Sequence, residues 1–143
     1  MKLVDTNLML YAVNTAAPFH QRAIQWLEDS LNDVEPVAFD WNALFGFIRV
    51  STRQGAFPQP LMLNEAFGYM NEWLAQPNVM LLQPTERHAE LLQSVLTPLG
   101  TLGNLVSDAH LAALAIEHGA TLYSTDNDFA RFSGLRWRNP LIP

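Results

Sequence analysis

Cysteine is absent from the 143 residues. That excludes a disulfide framework and thiolate metal sites, structural zinc above all. Positive charge is scarce: 8 Lys and Arg stand against 14 Asp and Glu, a formal net charge of −6. The basic footprint of a general nucleic-acid binder is therefore missing. An enzyme that meets phosphate through a divalent cation stays open, as does an acidic cleft covered by a basic partner segment. No uninterrupted apolar run is long enough to cross a bilayer. The N-terminus lacks the charged, apolar and small-residue succession of a signal peptide. Together with the missing thiols, this gives the expectation of a cytoplasmic protein with no membrane role. There is no internal repeat, low-complexity tract, phosphate-cradling glycine loop or Ser-His-Asp order, so nucleotide binding and nucleophilic catalysis are weaker ideas. His20, His88, His110 and His118 are far apart and show no metal-binding spacing.

What is present is a 49% hydrophobic chain, enough for one domain over residues 1–143 with a sizeable core. Short apolar runs read as strands at Leu3-Val4, Pro36 to Phe39, Val79 to Leu82, Thr121 to Ser124 and, weakly, Leu135 to Arg138. Helices are expected over Leu8–Val13, capped by Thr6 or Asn7, and over His20–Leu31, Ala43–Val50 and Leu61–Ala75. Glu86–Leu96, capped by Thr85, and Leu105–His118, stopped by Gly119, complete the set, with a short turn of helix at Asp126–Arg131. Gln54–Pro60 reads as a loop. Alternating strands and helices imply an α/β fold with a mostly parallel sheet. In such folds sites form beyond the carboxyl ends of strands.

Three carboxylates stand where that rule matters. Asp5 ends the apolar run Met1-Lys2-Leu3-Val4. Asp126 follows Ala120-Thr121-Leu122-Tyr123-Ser124-Thr125. Asp108 heads the alanine-rich stretch Ala109-His110-Leu111-Ala112-Ala113-Leu114-Ala115. An ionised side chain is costly to bury without a partner or a cation. Mg²⁺ and Mn²⁺ favour oxygen donors, and a bound cation can acidify a water and offset charge on a phosphoryl transition state. If the three converge, they suit metal-assisted phosphodiester hydrolysis. The plainer reading makes Asp5 and Asp126 turn or cap residues and Asp108 a cap beside Ser107. Asp40 reads as an N-cap for the next helix and Asp128 as a local cap for Phe129-Ala130-Arg131. Arg49 and Arg53 can contact phosphate. Trp26, Trp41, Trp73 and Trp137 can stack on bases, although such rings more often fill cores.

The chain resembles PIN-domain proteins of the VapC toxin type. The matching pieces are Leu3-Val4-Asp5-Thr6-Asn7, the segment Gly103 to Ala112, and Gly119-Ala120-Thr121-Leu122-Tyr123-Ser124-Thr125-Asp126-Asn127-Asp128-Phe129. Gly46-Phe47-Ile48-Arg49-Val50-Ser51-Thr52 is similar to a segment of one VapC subgroup. The resemblance is collinear over essentially the whole chain. It implies a PIN-like three-layer α/β fold with strand order near 3-2-1-4-5. It also implies a Mg²⁺- or Mn²⁺-dependent endoribonuclease acting on structured RNA of the tRNA or rRNA class and leaving a 3′-hydroxyl and a 5′-phosphate. A VapB-type antitoxin as inhibitor and a homodimer are implied too, with Leu61–Leu74 and Phe45–Phe47 as candidate apolar surface. By the same resemblance, Asp5 and Asp108 are metal ligands, Asp126 is a further ligand or water-orienting group, and Arg49 is a substrate contact. The family usually carries another acid in the helix after the second strand, and Ala43-Leu44-Phe45-Gly46 has none. Asp40 or Asp128 would have to replace it.

Two rival readings follow from the same residues. One is a PIN-fold interaction module whose incomplete acid set is catalytically impaired. The other is a metal-dependent phosphatase: Asp5-Thr6-Asn7 is similar to an aspartyl-nucleophile start, but Asn7 stands where such enzymes carry a second Asp.

Overall fold

The computed structural model describes residues 1–55, 57–100 and 103–142. Strand β1 is Lys2–Val4, followed by helices α1 (Thr6–Val13) and α2 (His20–Leu31). Strand β2 (Val37–Phe39) leads into α3 (Trp41–Ser51) and α4 (Leu63–Leu74). Strand β3 (Val79–Leu81) precedes α5 (His88–Leu96) and α6 (Val106–His118); β4 (Thr121–Tyr123) and β5 (Trp137–Arg138) close the sheet. Every strand pairing is parallel and the order is β3-β2-β1-β4-β5. The expected order and alternation are therefore met.

Side-chain alternation along the strands builds three layers. Val4, Val37 and Phe39 face a core shared with α1 to α4, where Leu8, Leu44, Phe47 and Trp73 are buried. Leu3, Ala38 and Leu122 face the opposite core, against α6 and the buried Val95 of α5. Buried on both faces, the inner strand β2 reads as a continuous apolar run, as strands of parallel sheets do, whereas Met80 and Leu81 of the edge strand β3 are exposed. Because β1 is central and its neighbours β2 and β4 leave in opposite directions, the switch in strand order lies beside Asp5.

Several local expectations shift, each for a physical reason. Helix α1 starts at Thr6, because Asp5 itself is the N-cap and accepts from the Thr6 N–H at 2.7 Å. Helix α4 starts at Leu63, where the Glu65 carboxylate accepts from the Met62 N–H at 2.9 Å. Helix α5 starts at His88, with Arg87 at its N-cap position; Thr85 Oγ1 accepts from the Arg87 N–H at 3.1 Å in the turn before it, and the Thr85 N–H and hydroxyl donate to Glu117 at 3.2 and 3.1 Å. Asp40 does cap α3, accepting from Asn42 and Ala43 N–H. Gly119 ends α6 in the left-handed conformation with φ 67°. In the expected Gln54–Pro60 loop, Ala56 lies outside the described residues. Of the tryptophans, Trp73 is a core residue against Phe39 and Phe47, Trp26 packs on Tyr123, and the Trp137 indole donates to the Ser124 carbonyl. Trp41 is exposed.

Helix α3 comes to the sheet edge by touching α1. The Thr6 hydroxyl donates to the Ala43 carbonyl at 2.8 Å. A Cβ on Gly46 would meet Thr6 Oγ1 at 3.0 Å and Cγ2 at 3.2 Å. Glycine is thus the residue that lets the cap of α1 and the first turns of α3 share one place. Gly68, in the middle of α4, faces open space. Gly46→Val is expected to destabilise the protein by about 1–3 kcal/mol through overpacking. Gly68→Ala is expected to stabilise it by about 0.5–1 kcal/mol through helix propensity alone. Urea denaturation of the two variants checks both signs.

Candidate active site

The carboxyl ends of β1, β2 and β4 deliver Asp5, Asp40 and the segment Ser124 to Asp128 to one edge of the sheet. Asp108, third residue of α6, reaches the same cleft from above; Asp5, Asp40, Arg49, Ser107, Asp108 and Leu111 are among its lining. The sequence-predicted residues Asp5, Asp108 and Asp126 are therefore neighbours, and Arg49 stands on the wall formed by α3. Arg53 lies exposed past the end of that helix.

Asp5 is held at both oxygens. Oδ1 accepts from the Thr6 N–H, and Oδ2 accepts from Ser124 Oγ at 2.7 Å. Ser124, fully buried, is a hub: its hydroxyl oxygen also accepts from Asn7 Nδ2 at 3.2 Å and from the Asp126 N–H at 3.0 Å. Asn7 thus ties β1 to β4, which is positioning work beyond the helix capping expected of it.

Asp126 caps a short 3-10 turn, Asn127–Arg131, by accepting from the Asp128 N–H at 2.9 Å. The cap expected of Asp128 is thus made by Asp126. Asp128 lies inside the turn, its carboxylate 3.7 Å from Arg131 and about half exposed. Among the described residues, Asp108, Asp126 and Asp128 bring carboxylate oxygens within 4.8 Å of one another. Asp5 lies beside this set and adds its charge to Asp108.

The electrostatics follow from that crowding. Burial pushes the Asp108 carboxyl up to about 6, and the charges of Asp5, Asp126 and Asp128 push the same way. The Asp5 carboxyl is also raised, first by burial; the Ser124 and Thr6 hydrogen bonds oppose this, and the charges of Asp126 and Asp40 add to it. At Asp108 and Asp5, where the ionised form is disfavoured, a divalent cation would offset the repulsion and keep the carboxylates charged. The donor set fits Mg²⁺ or Mn²⁺, and Asp108, Asp126, Asp128 and Asp5 are the residues placed to hold it.

The histidines, far apart in sequence, are not all isolated in the fold. His110 Nε2 lies 2.9 Å from Asp40 Oδ2, and its other nitrogen lies 2.9 Å from His88. Their separation along the chain gave no local signal. The hydrogen bond to Asp40 raises the His110 imidazole above its ordinary value. Of the apolar surface expected at Phe45–Phe47, Phe45 is exposed but Phe47 is wholly buried in the core.

A 3-2-1-4-5 parallel sheet with acids gathered at the ends of β1 and β4 is the architecture of a PIN domain, and the PIN domain family model matches residues 2–135. The chain belongs to the PIN-domain family. It is similar to Ribonuclease VapC37 of Mycobacterium tuberculosis, 48% identical over 140 residues that cover 98% of this chain and 97% of that protein. Ribonuclease VapC33 of the same organism is 43% identical over 99% of both chains. Among solved structures, VapBC2 from Rickettsia felis bound to a promoter DNA fragment superposes with a TM-score of 0.71 at 19% identity, covering 96% of this chain and 97% of the other. Mycobacterium tuberculosis VapC20, described as a Sarcin-Ricin loop cleaving toxin, gives 0.65 at 18% identity, covering 95% and 99%. These structures support the fold.

The sign of the pH dependence follows from Asp108 and Asp5. Each carboxyl is raised on folding, so its ionisation opposes the folded state; for Asp108, stability falls as pH rises from the ordinary carboxylate range through about 6, and Asp5 acts in the same direction. In EDTA, the melting temperature is expected to fall between pH 5 and pH 7. Asp108→Asn, which cannot ionise, should flatten that fall and melt a few degrees higher at pH 7.5. Differential scanning calorimetry of the two proteins reads both effects.

Proposed function

We propose that this chain is a divalent-cation-dependent endoribonuclease toxin of the VapC type, a single domain that hydrolyses phosphodiester bonds of structured RNA. The observation that carries the reading is the set of carboxylates from β1, β4 and α6 meeting at the switch in strand order. The relatives named as ribonucleases support it.

Asp108, Asp126 and Asp128, with Asp5 beside them, would hold Mg²⁺ or Mn²⁺, which supplies charge neutralisation at the phosphate and acidification of a water. The chain's own residues do the positioning. Ser124 and Thr6 fix the Asp5 carboxylate, so its lone pairs point at one place without reorganisation. Asp126, anchored by the Ser124 hydroxyl and the Asp128 N–H, orients the attacking water. Arg49, exposed on the α3 wall, is free of ion pairs among the described residues and presents two parallel donors to a backbone phosphate. The phosphatase alternative has no second nucleophile-side acid: Asn7 is committed to Ser124 and Thr125.

A VapB-type antitoxin is the partner this reading implies, and structures of VapBC complexes are among those that share the fold. An acid-lined cleft in a protein of net charge −6 suits a basic inhibitory segment. No helix among the described residues is long and apolar enough to cross a membrane, and a cytoplasmic site of action fits the RNA target. A homodimer follows from the exposed apolar face of α3 and α4, where Trp41, Phe45, Leu63 and Phe67 lie open. Light scattering at micromolar concentration is expected to give twice the 16.1 kDa chain mass; the mass of a single chain would count against the dimer.

Asp5→Asn keeps an N-cap for α1, since Asn caps as well as Asp. It should therefore fold normally while losing cleavage by on the order of 10³, the worth of several kcal/mol at the transition state. EDTA should abolish wild-type cleavage and Mn²⁺ restore it. Cleavage mapping on total RNA with wild type and Asp5→Asn tests the reading; a folded, fully active Asp5→Asn protein would falsify it.

A further inference from the structure

Behind the cleft runs a line of polar side chains that the carboxylate chemistry does not use. Glu117, on α6, has a side chain only 1% exposed and accepts from the Thr85 N–H and hydroxyl. His88 Nδ1 lies 3.0 Å from Glu117 Oε1. His88 Nε2 lies 2.9 Å from His110 Nδ1, and His110 Nε2 lies 2.9 Å from Asp40 Oδ2. All four imidazole nitrogens are used. The line starts at the loop before α5, crosses α5 and α6, and ends at the cap of α3, on the floor of the cleft.

Apolar side chains of similar size would fill this space without desolvating two carboxylates and two imidazoles. What a fully satisfied buried network adds is a fixed geometry. The geometry at stake is the width of the cleft. One wall is α3, with Asn42, Gly46 and Arg49; the other is the start of α6, with Ser107 and Asp108. These two helices are not among the closely packed pairs, whereas α5 packs firmly on α6 and α1 on α3. The His110–Asp40 link ties the walls together at their base. It leaves α6 two residues after Asp108 and lands on the carboxylate that also accepts from Asn42 and Ala43 N–H. With three donors already on it, Asp40 is committed to the protein.

We propose that His110, backed by His88 and Glu117, is a positioning residue that sets the α3 wall against the α6 wall, and so places the phosphate contact of Arg49 relative to Asp108. The inference rests on the ribonuclease reading for its effect on rate, but not for its geometry.

The cysteine-free chain allows two spin labels to be placed cleanly, at Arg53→Cys beyond α3 and Val106→Cys on α6, both exposed. Double electron–electron resonance on the full chain, diluted with unlabelled protein, then reads the distance between the walls without RNA. Wild type should give a narrow distribution. His110→Leu should broaden or shift it, and His110→Gln, which keeps a donor for Asp40, should restore it. In the unlabelled proteins, His110→Leu should lower kcat on a wild-type-cleavable RNA hairpin by about 10- to 100-fold per folded molecule, with KM changed far less. His110→Gln should recover most of that loss. If His110→Leu does not fold, Glu117→Gln, at the far end of the line, carries the same measurements. An unchanged distance distribution, or a kcat loss that only tracks the unfolded fraction, overturns the proposal. A wild type that cleaves no RNA overturns the ribonuclease reading alone, since the distances still decide the geometry.

Discussion

Repulsion among carboxylates at one end of a buried sheet is the constraint on which this structure turns. Two full charges about 4 Å apart repel by about 4 kcal/mol at an effective dielectric near 20. A whole domain is stable by only about 5–15 kcal/mol. Asp108, Asp126 and Asp128 bring oxygens within 4.8 Å of one another, and Asp108, whose carboxyl is raised, bears the crowding. The chain tolerates the group in two ways. It leaves the Asp108 carboxyl raised to about 6, and it places that side chain in the first turn of α6, where the helix dipole favours negative charge. That crowding is the condition a bound cation would relieve.

The rest of the fold serves to hold that edge still. Three strands of three residues each end in the same plane, and their order puts β1 between β2 and β4. Ser124, with no exposed surface, then couples Asp5, Asn7 and Asp126 through one hydroxyl. Gly46 lets α3 close against Thr6, which sets the near wall of the cleft. The Thr6–Ala43 and Asp5–Ser124 contacts join residues 37 and 119 positions apart, so the site exists only once the whole sheet has formed.

How much of this was legible in the sequence depends on whether the signal is local. A carboxylate ending a short apolar run, or heading an alanine-rich helix, stands out against its neighbours, so Asp5, Asp108 and Asp126 were readable, as was the β/α alternation. Capping was readable at Asp40, where one residue precedes a long apolar helix. It failed at Thr85, whose Oγ1 accepts from the Arg87 N–H in the turn before α5 while Arg87 takes the N-cap position, and at Asp128, where Asp126 makes the cap. The His88–His110 pair left no trace because its members are 22 residues apart and meet only when α5 packs on α6.

The absent acid in α3 takes a different meaning from this arrangement. A carboxylate on the first turns of α3 would face the cleft from the wall that carries Arg49. Here that wall offers Ala43 and Gly46, and the acid one step upstream, Asp40, is drawn back to the floor by the helix N-terminus and His110. On the side of β4 and α6, the 3-10 turn after Asp126 brings the Asp128 carboxylate within 4.8 Å of those of Asp108 and Asp126. An α3 wall free of carboxylate then has a positive side chain, Arg49, facing a negative cluster across the cleft. That asymmetry suits a bridging phosphate better than a symmetric ring of acids would, because the phosphate's own charge meets a cation site on one side and a guanidinium on the other.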